Sequence, residues 1–172
     1  MNAPTEAINV ADARSLSWSI KASFVSYVNG MQDGACAVTA PGEADADGWV
    51  FPGRFPSSNE WAAPLELGQF RGAVNFSGHH GLLHVVVADP WVNLTSTPKL
   101  VSIADPDWPG RRMELATFEV ERLSNCPTEP GTGWRGVNVR LTADGADLFF
   151  RVYEPGDFLD DFTVHGSPAP TP

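Results

Sequence analysis

The chain has 172 residues, of which 42% are hydrophobic and 19% are charged, and this length and composition suit one domain with its own hydrophobic core. The formal net charge of −10, from 11 Lys and Arg against 21 Asp and Glu, argues against a nucleic-acid partner and against attachment to anionic lipid through basic residues. No apolar run approaches the roughly 20 residues that cross a bilayer, so the sequence predicts no membrane span.

Polar segments border the predicted domain at both ends. We expect a flexible leader over residues 1–14, a single domain over 15–165 and a flexible tail over 166–172, which reads GSPAPTP. The leader does not resemble a secretory signal, because it lacks a basic segment followed by an apolar one. The sequence as printed therefore predicts a cytoplasmic protein, whereas removal of a signal would imply an extracellular or cell-surface one.

The first predicted element is a helix over residues 16–29. Ser15 is a candidate N-cap, and Gly30 is a natural end. Four residues are separated by four, four and three positions, which places their side chains on one stripe of this helix. They are Leu16, Ile20, Phe24 and Tyr27.

Strand signals dominate the chain after this helix. Segments rich in Val, Phe, Trp and Thr and bounded by Gly, Pro, Asp or Asn are typical of strands. They cover residues 35–39, 47–51, 68–77, 82–88, 90–94, 99–104, 112–122 and 134–142. Within 115–121, apolar and polar residues alternate, which predicts a sheet with one buried face.

The end of the domain is less regular. Residues 145–153 fit a short helix or another strand, although Thr142 and the three residues after it are typical of a helix start. We interpret the acidic residues that follow, Asp157, Asp160 and Asp161, as a solvated turn. The predicted class is mainly β: a sandwich or curved antiparallel sheet with an N-terminal helix packed against it and, if 145–153 is helical, a short C-terminal helix.

Few residues suggest chemistry on their own. Cys36 and Cys126 lack metal-ligand spacing, and we interpret them as ordinary thiols, with one disulfide between them left open. His79 and His80 lie in a predicted hairpin turn between two glycines, which would place an imidazole at the rim of a sheet. The alternative is a polar turn with exposed histidines. Tyr27, one of two tyrosines, lies on the helical stripe and by itself fits a core position.

Three segments together form a more specific pattern. Residues 18–27 read WSIKASFVSY and are followed by Gly30; residues 72–83 read GAVNFSGHHGLL; and Leu-Thr-Ala-Asp-Gly, Tyr-Glu-Pro-Gly and Leu-Asp occur in order between 141 and 160. These segments resemble, in the same order, the opening Trp-Gly-Val-Lys-x-Ser-Phe-x-x-Tyr, the central Phe-x-Gly-His-x-Gly-x-Leu and the closing signatures of the HtaA domain. The resemblance spans roughly residues 16–164.

This resemblance implies haem binding for uptake or transfer in actinobacteria, on a mostly β fold with a helix beside the haem. It implies that Tyr27 is the axial ligand of ferric haem and that His79, rather than His80, supports the phenolate through a hydrogen bond. Tyrosine is a known axial ligand of haem iron, and a neighbouring imidazole would adjust its donor strength. The implied partners are haem and a haem-donor or importer protein.

The remaining pocket residues follow from the same resemblance. Ser23 and Ser26 would meet the haem propionates. Apolar and aromatic pocket walls would come from Phe24, Trp18, Phe51 and Phe55, although each of these side chains alone also fits an ordinary core position. The role of Tyr153 stays open.

Two other functions remain open on the same residues. A non-haem enzyme, of the isomerase or cyclase kind, would use Tyr27 and His79 as a general acid–base pair on a hydrophobic metabolite. A binding protein for another apolar ligand would use the pocket without any reaction.

Overall fold

A computed structural model describes residues 14–54, 67–122 and 133–166. Apart from Arg14 and Gly166, the predicted leader and tail lie outside these residues, and so do Phe55 and Cys126. Cys36 is a partly buried free thiol, and its burial raises the pKa of the thiol. None of the helices in the described part of the chain is long and apolar enough to cross a membrane.

Within those ranges the chain forms twelve strands, two α-helices and a 3₁₀ turn. In chain order they are β1 (Arg14–Trp18), α1 (Ala22–Gly30), β2 (Ala35–Thr39), β3 (Glu43–Asp45), β4 (Gly48–Arg54), β5 (Leu67–Phe70), β6 (Ala73–Gly78), the 3₁₀ turn (His79–Gly81), β7 (Leu83–Ala88), β8 (Trp91–Asn93), β9 (Lys99–Ala104), β10 (Arg112–Arg122), β11 (Gly133–Leu141), α2 (Ala143–Leu148) and β12 (Phe162–His165).

Eight of the described strands form a closed antiparallel sheet. Their order is β1, β12, β11, β10, β9, β8, β5 and β4, and β4 returns to β1 with Leu16 opposite Phe51. The ring of Phe162 packs edge-on against Trp18, Phe118 and Trp134, all of which are buried. The prediction of a mainly β, curved antiparallel sheet is confirmed.

A second, three-stranded sheet carries helix α1. Its order is β2, β6 and β7, with β6 in the centre. Alternate residues of β6 and β7 are buried, among them Val74, Phe76, Val85 and Val87. Phe24 of α1 is also buried, and its ring meets that of Phe76 edge-on at a centroid distance of 5.2 Å. The helix and the His79–Gly81 turn therefore belong to one structural unit.

Helix α1 begins later than the sequence predicts. Leu16 and Trp18 are buried alternate residues of strand β1, and Ile20 takes a left-handed conformation with φ 64° that redirects the chain. Ser15 is consequently a strand residue, so its assignment as the N-cap was wrong. The spacing from Leu16 to Ile20 is even, and an even spacing is compatible with one face of a strand as well as one face of a helix.

Asp160 stabilises the true start of α1. Its Oδ2 accepts hydrogen bonds from the backbone N–H of Ala22 and the hydroxyl of Ser19, both at 2.7 Å. A carboxylate at a helix N-terminus satisfies an unpaired donor and favours the helix dipole. The predicted solvated turn at Asp157–Asp161 is thus wrong for Asp160, which is partly buried and tied to the helix.

The C-terminal part resolves the open choice between helix and strand. Residues 143–148 form α2, and the Thr142 side chain accepts the backbone N–H of Gly145 at 2.9 Å, so the helix start predicted at Thr142 is confirmed. After α2, Phe150 and Arg151 are both left-handed, with φ of 55° and 54°. The short strand β12 was not predicted.

Candidate functional site

An open cleft lies between α1, the His79–Gly81 turn and the segment that follows α2. Its volume is about 610 Å³, within the range of pockets that hold small organic molecules. Most of the side chains that line it are apolar or aromatic. They are Phe24, Tyr27, His79, Leu82, Leu83, Phe149, Phe150, Val152 and Tyr153.

Tyr27 and His79 form the polar centre of this cleft. The Tyr27 hydroxyl oxygen lies 2.7 Å from Nε2 of His79, and which of the two donates depends on the imidazole tautomer. Tyr27 is 54% exposed, so it is not the core tyrosine that its stripe position would allow. The exposed phenol oxygen is accessible from the cleft and already has a proton-accepting or proton-donating neighbour.

The backbone of the 3₁₀ turn decides which histidine faces Tyr27. His79 and His80 are both left-handed, with φ of 50° and 56°, and Gly81 follows with φ 87°. The His80 backbone N–H donates to Oδ2 of Asp33 at 2.6 Å. The His80 side chain is 97% exposed. The turn therefore directs His79 towards the helix and His80 into solvent.

The floor of the cleft is continuous with the hydrophobic core. Phe24 is 3% exposed, and its ring meets Phe149 at 5.1 Å and Tyr153 at 6.4 Å between centroids, both edge-on. Such edge-to-face packing is a favourable geometry for aromatic rings. A planar aromatic ligand would thus rest on a rigid floor rather than on mobile side chains.

Tyr153 lies in the same cleft in a different environment. Burial raises the pKa of its hydroxyl, and a hydrogen bond with Ser23 opposes that rise. The Lys21 ammonium lies 4.6 Å from the centre of the Tyr153 ring, a cation–π contact. Tyr153 is thus a partly buried wall residue held by helix α1, and Tyr27 is the exposed phenol at the mouth.

The structure brings only some of the predicted site residues together. Phe24, Tyr27 and His79 line the cleft, and Ser23 and Ser26 are exposed residues of the same helix.

The structure does not bring Trp18 to the cleft. Trp18 is buried in the closed sheet, where its indole N–H donates to the Asp160 carbonyl oxygen at 2.8 Å. Because β1 ends before the helix begins, Trp18 does not share a face with Tyr27. Phe51, on the neighbouring strand β4, is likewise fully buried.

The rim of the cleft is apolar and was missed by sequence reasoning. Leu82 is 83% exposed, Phe150 is 57% exposed and Val152 is 70% exposed. Exposed apolar side chains grouped around a concavity mark binding sites. Their signal in the sequence was weak, because a mostly apolar segment such as 148–153, interrupted by Arg151 alone, fits a core element equally well.

The donor groups of the described residues do not form a cage for a bare metal ion. No three His, Cys, Asp or Glu side chains among them lie close enough to hold one. The cleft offers instead one exposed phenol, that of Tyr27, a partly buried phenol, that of Tyr153, one imidazole and apolar walls.

Comparison with known families identifies the domain that carries this cleft. The sequence profile of the HtaA family, described as Htaa, matches residues 13–165. The chain belongs to the HtaA family. The resemblance seen in the sequence is thereby confirmed over nearly the whole domain.

Solved structures of proteins from Corynebacterium glutamicum share this fold. The C-terminal domain of HtaA is 23% identical, with a TM-score of 0.64 over 90% of this chain and 95% of that one. The heme-binding protein HtaB is 17% identical, with a TM-score of 0.68 over 90% and 92%. The N-terminal domain of HtaA is 19% identical, with a TM-score of 0.64 over 92% and 98%. No curated protein matches the sequence.

Proposed function

We propose that this HtaA-family protein binds ferric haem in the cleft, with the Tyr27 oxygen as the axial ligand of the iron and His79 as its hydrogen-bond partner. The observation that carries the proposal is the 2.7 Å contact between the Tyr27 hydroxyl and His79 Nε2 at the mouth of an apolar cleft. Family membership and the likeness to a heme-binding protein support a haem-related function.

The donor set of the cleft suits haem better than a free metal ion. A porphyrin already supplies four nitrogen ligands, so the protein has to add one axial ligand and an apolar surface. A phenolate is a hard, anionic oxygen that favours ferric iron. Tyr27 supplies the oxygen, and Phe24 and Phe149 supply aromatic surface at the floor.

His79 also provides a route for the proton. When the Tyr27 oxygen binds iron, its proton has to leave, and His79 Nε2 lies within hydrogen-bond distance to take it. The resulting N–H then donates back to the phenolate oxygen, which orients it and limits its donor strength. Protonation of the phenolate would reverse the step and release the iron.

Two serines on α1 are proposed to meet the propionates of the haem. Ser23 precedes Tyr27 by one helical turn, so the two side chains share a face, and Ser26 is the adjacent residue. Both are exposed, and Ser23 lies close enough to the Tyr153 hydroxyl to oppose the rise of its pKa. Neutral hydroxyl donors would leave the propionates solvated, which suits a ligand that must later leave.

A role in haem uptake or transfer follows from the openness of the site. Tyr27 is 54% exposed, and the rim residues are more exposed still, so haem can enter or leave without opening the core. We expect the loaded protein to pass haem to excess apomyoglobin, with a rate read from the Soret shift. Retention of haem over hours would argue for storage instead.

The deciding experiment is an absorbance titration of the purified protein with hemin. We expect a saturable Soret band with the charge-transfer feature of a high-spin ferric tyrosinate, and its loss in Tyr27→Phe. Tyr153→Phe is the matched control, because it removes the other of the two tyrosines and should retain the charge-transfer feature. A tyrosinate spectrum that survives Tyr27→Phe would overturn the assignment.

The same titration separates haem binding from the alternatives. If the wild-type protein gives no saturable spectrum, the Tyr27–His79 pair remains as an acid–base pair for a hydrophobic metabolite, or the cleft binds another apolar ligand. Screening of hydrophobic compounds by thermal shift, with Tyr27→Phe as the reference, would then identify what the cleft holds.

A further inference from the structure

The position of His79 depends on a backbone conformation that its own sequence disfavours. His79 and His80 are consecutive left-handed residues, and residues with a Cβ rarely adopt that conformation. Such backbone persists only where the surroundings hold it in place. A group outside the turn must therefore hold His79 and His80 in this conformation.

Asp33 contacts this turn from the segment that follows α1. Its Oδ2 accepts the backbone N–H of His80 at 2.6 Å. The hydrogen bond from the His80 backbone is the main cause that lowers the pKa of the Asp33 carboxyl, so the group is ionised at neutral pH. A hydrogen bond to an ionised carboxylate is shorter and stronger than one between neutral groups.

The packing around Asp33 couples the helix to the turn. Gly34 donates its backbone N–H to the Met31 carbonyl at 3.2 Å, which folds this segment back on the helix end. A Cβ on Gly78, the residue before the turn, would lie 2.8 Å from Met31 Sδ. The segment after α1 and the end of β6 are therefore in direct contact, and Asp33 lies where they meet.

We propose that Asp33 is the positioning residue of the cleft: its carboxylate holds the left-handed turn and thereby sets His79 Nε2 against the Tyr27 hydroxyl. Asp33 does not line the cleft, so it acts on the cleft through the turn. Its Oδ2 also lies 3.8 Å from Nδ1 of the exposed His80 imidazole, which does not face Tyr27. Only the hemin-binding test of this role rests on the proposed function. The Tyr27–His79 hydrogen bond exists without a ligand and can be tested in the ligand-free protein.

The first test uses the ligand-free protein. Long-range ¹H–¹⁵N spectra resolve the imidazoles of the four histidines, and loss of a signal in His79→Asn assigns His79. In Asp33→Ala we expect the His79 resonances to move to the values of a solvent-averaged tautomer, as they should in Tyr27→Phe. In Asp33→Asn, which keeps a neutral acceptor, the shift should be smaller. Unchanged His79 resonances in Asp33→Ala would overturn the proposal.

A matched control comes from another carboxylate that accepts backbone N–H groups. Asp105 accepts those of Asp107 and Trp108, and it does not line the cleft. Asp105→Ala should therefore leave the His79 resonances and the hemin spectrum unchanged. Thermal unfolding of each variant checks that the fold is intact, and Asp33→Asn serves if Asp33→Ala does not fold.

The second test uses hemin. We expect Asp33→Ala to weaken hemin binding about 10- to 100-fold, as loss of a supporting group beside a metal ligand does, and to shift the charge-transfer band as His79→Asn does. Because the two residues act in series, Asp33→Ala should have no further effect in a His79→Asn background. A full additional effect there would contradict positioning through His79. If the wild-type protein does not bind hemin, the proposed function fails while the imidazole spectra still decide the role of Asp33.

Discussion

The hydroxyl oxygen of Tyr27 lies 2.7 Å from Nε2 of His79, although 52 residues separate them in the chain. Helix α1 supplies the first group, and the turn between β6 and β7 supplies the second. Both elements pack on the same three-stranded sheet, so their distance is set within one small unit.

The first prediction concerns the two adjacent histidines. His79→Asn should weaken hemin binding about 10- to 100-fold, because it removes the group that supports the phenolate. His80→Asn should change the affinity less than twofold, because its side chain is 97% exposed. Asparagine is used at both positions since it tolerates the left-handed backbone. Equal losses in the two variants, measured by hemin titration, would contradict the assignment.

The second prediction concerns the ionisation of Tyr153. Burial raises the pKa of this phenol above its ordinary value, so the stability that its neutral form provides is present below pH ~10. It is lost as the pH rises through the pKa of the folded state. The test is a pH titration of Tyr27→Phe, in which Tyr153 is the remaining tyrosine, followed by absorbance at 295 nm. The midpoint pH of phenol ionisation should be higher in the folded protein than in the urea-unfolded chain. Coinciding midpoints would show that Tyr153 is not shielded.

The third prediction separates the floor of the cleft from its rim. Phe24→Ala should lower the free energy of unfolding by about 3–5 kcal/mol, because it removes a buried aromatic ring. Leu82→Ala should leave stability within about 0.5 kcal/mol, since Leu82 is 83% exposed. Chemical denaturation measures both, and hemin affinity should fall roughly three- to tenfold in Leu82→Ala. An unchanged affinity would remove Leu82 from the binding surface.

The fourth prediction compares two glycines at the end of α1. A Cβ on Gly34 would lie 1.7 Å from the Val28 carbonyl oxygen, whereas one on Gly30 would meet nothing within 4 Å. Gly34→Ala should therefore destabilise the protein by more than about 2 kcal/mol. Gly30→Ala should be neutral or stabilise it by up to about 1 kcal/mol. Thermal unfolding tests this, and similar midpoints for the two variants would contradict the close approach of Gly34.

The sequence predicts most of the strands, because their residues combine β propensity with clear boundaries. It wrongly joins β5 and β6, which belong to different sheets, into one strand over residues 68–77, and it misses β3. It misplaces the start of α1, because Leu16 and Ile20 satisfy a helical spacing as well as a strand face. It also misses β12, whose four residues are too short to show a pattern beside the acidic segment. These errors arise where tertiary contacts decide between two locally acceptable structures.

The sequence predicts the polar centre of the candidate site but not its apolar rim. Tyr27 and His79 are predicted from the resemblance to a family pattern. Each lies in a different motif of that pattern, and the resemblance implies that the two motifs meet in the fold. The sequence does not predict the rim residues Phe150 and Val152. The exposure of these side chains depends on two consecutive left-handed residues, Phe150 and Arg151. Local propensity gives no signal for such backbone, and exposure of apolar side chains cannot be read from composition.

The separation of the two sheets has a consequence for motion. Among the described strands, β2, β6 and β7 share no ladder of hydrogen bonds with the closed eight-stranded sheet. The two sheets meet through side chains instead, such as the rings of Phe76 and Trp49 at 5.4 Å, so we expect the smaller sheet to open locally more readily than the closed one. Amides of β6 and β7 should exchange with solvent sooner than those of β10 and β11, and their exchange rates would measure how often the wall of the cleft opens.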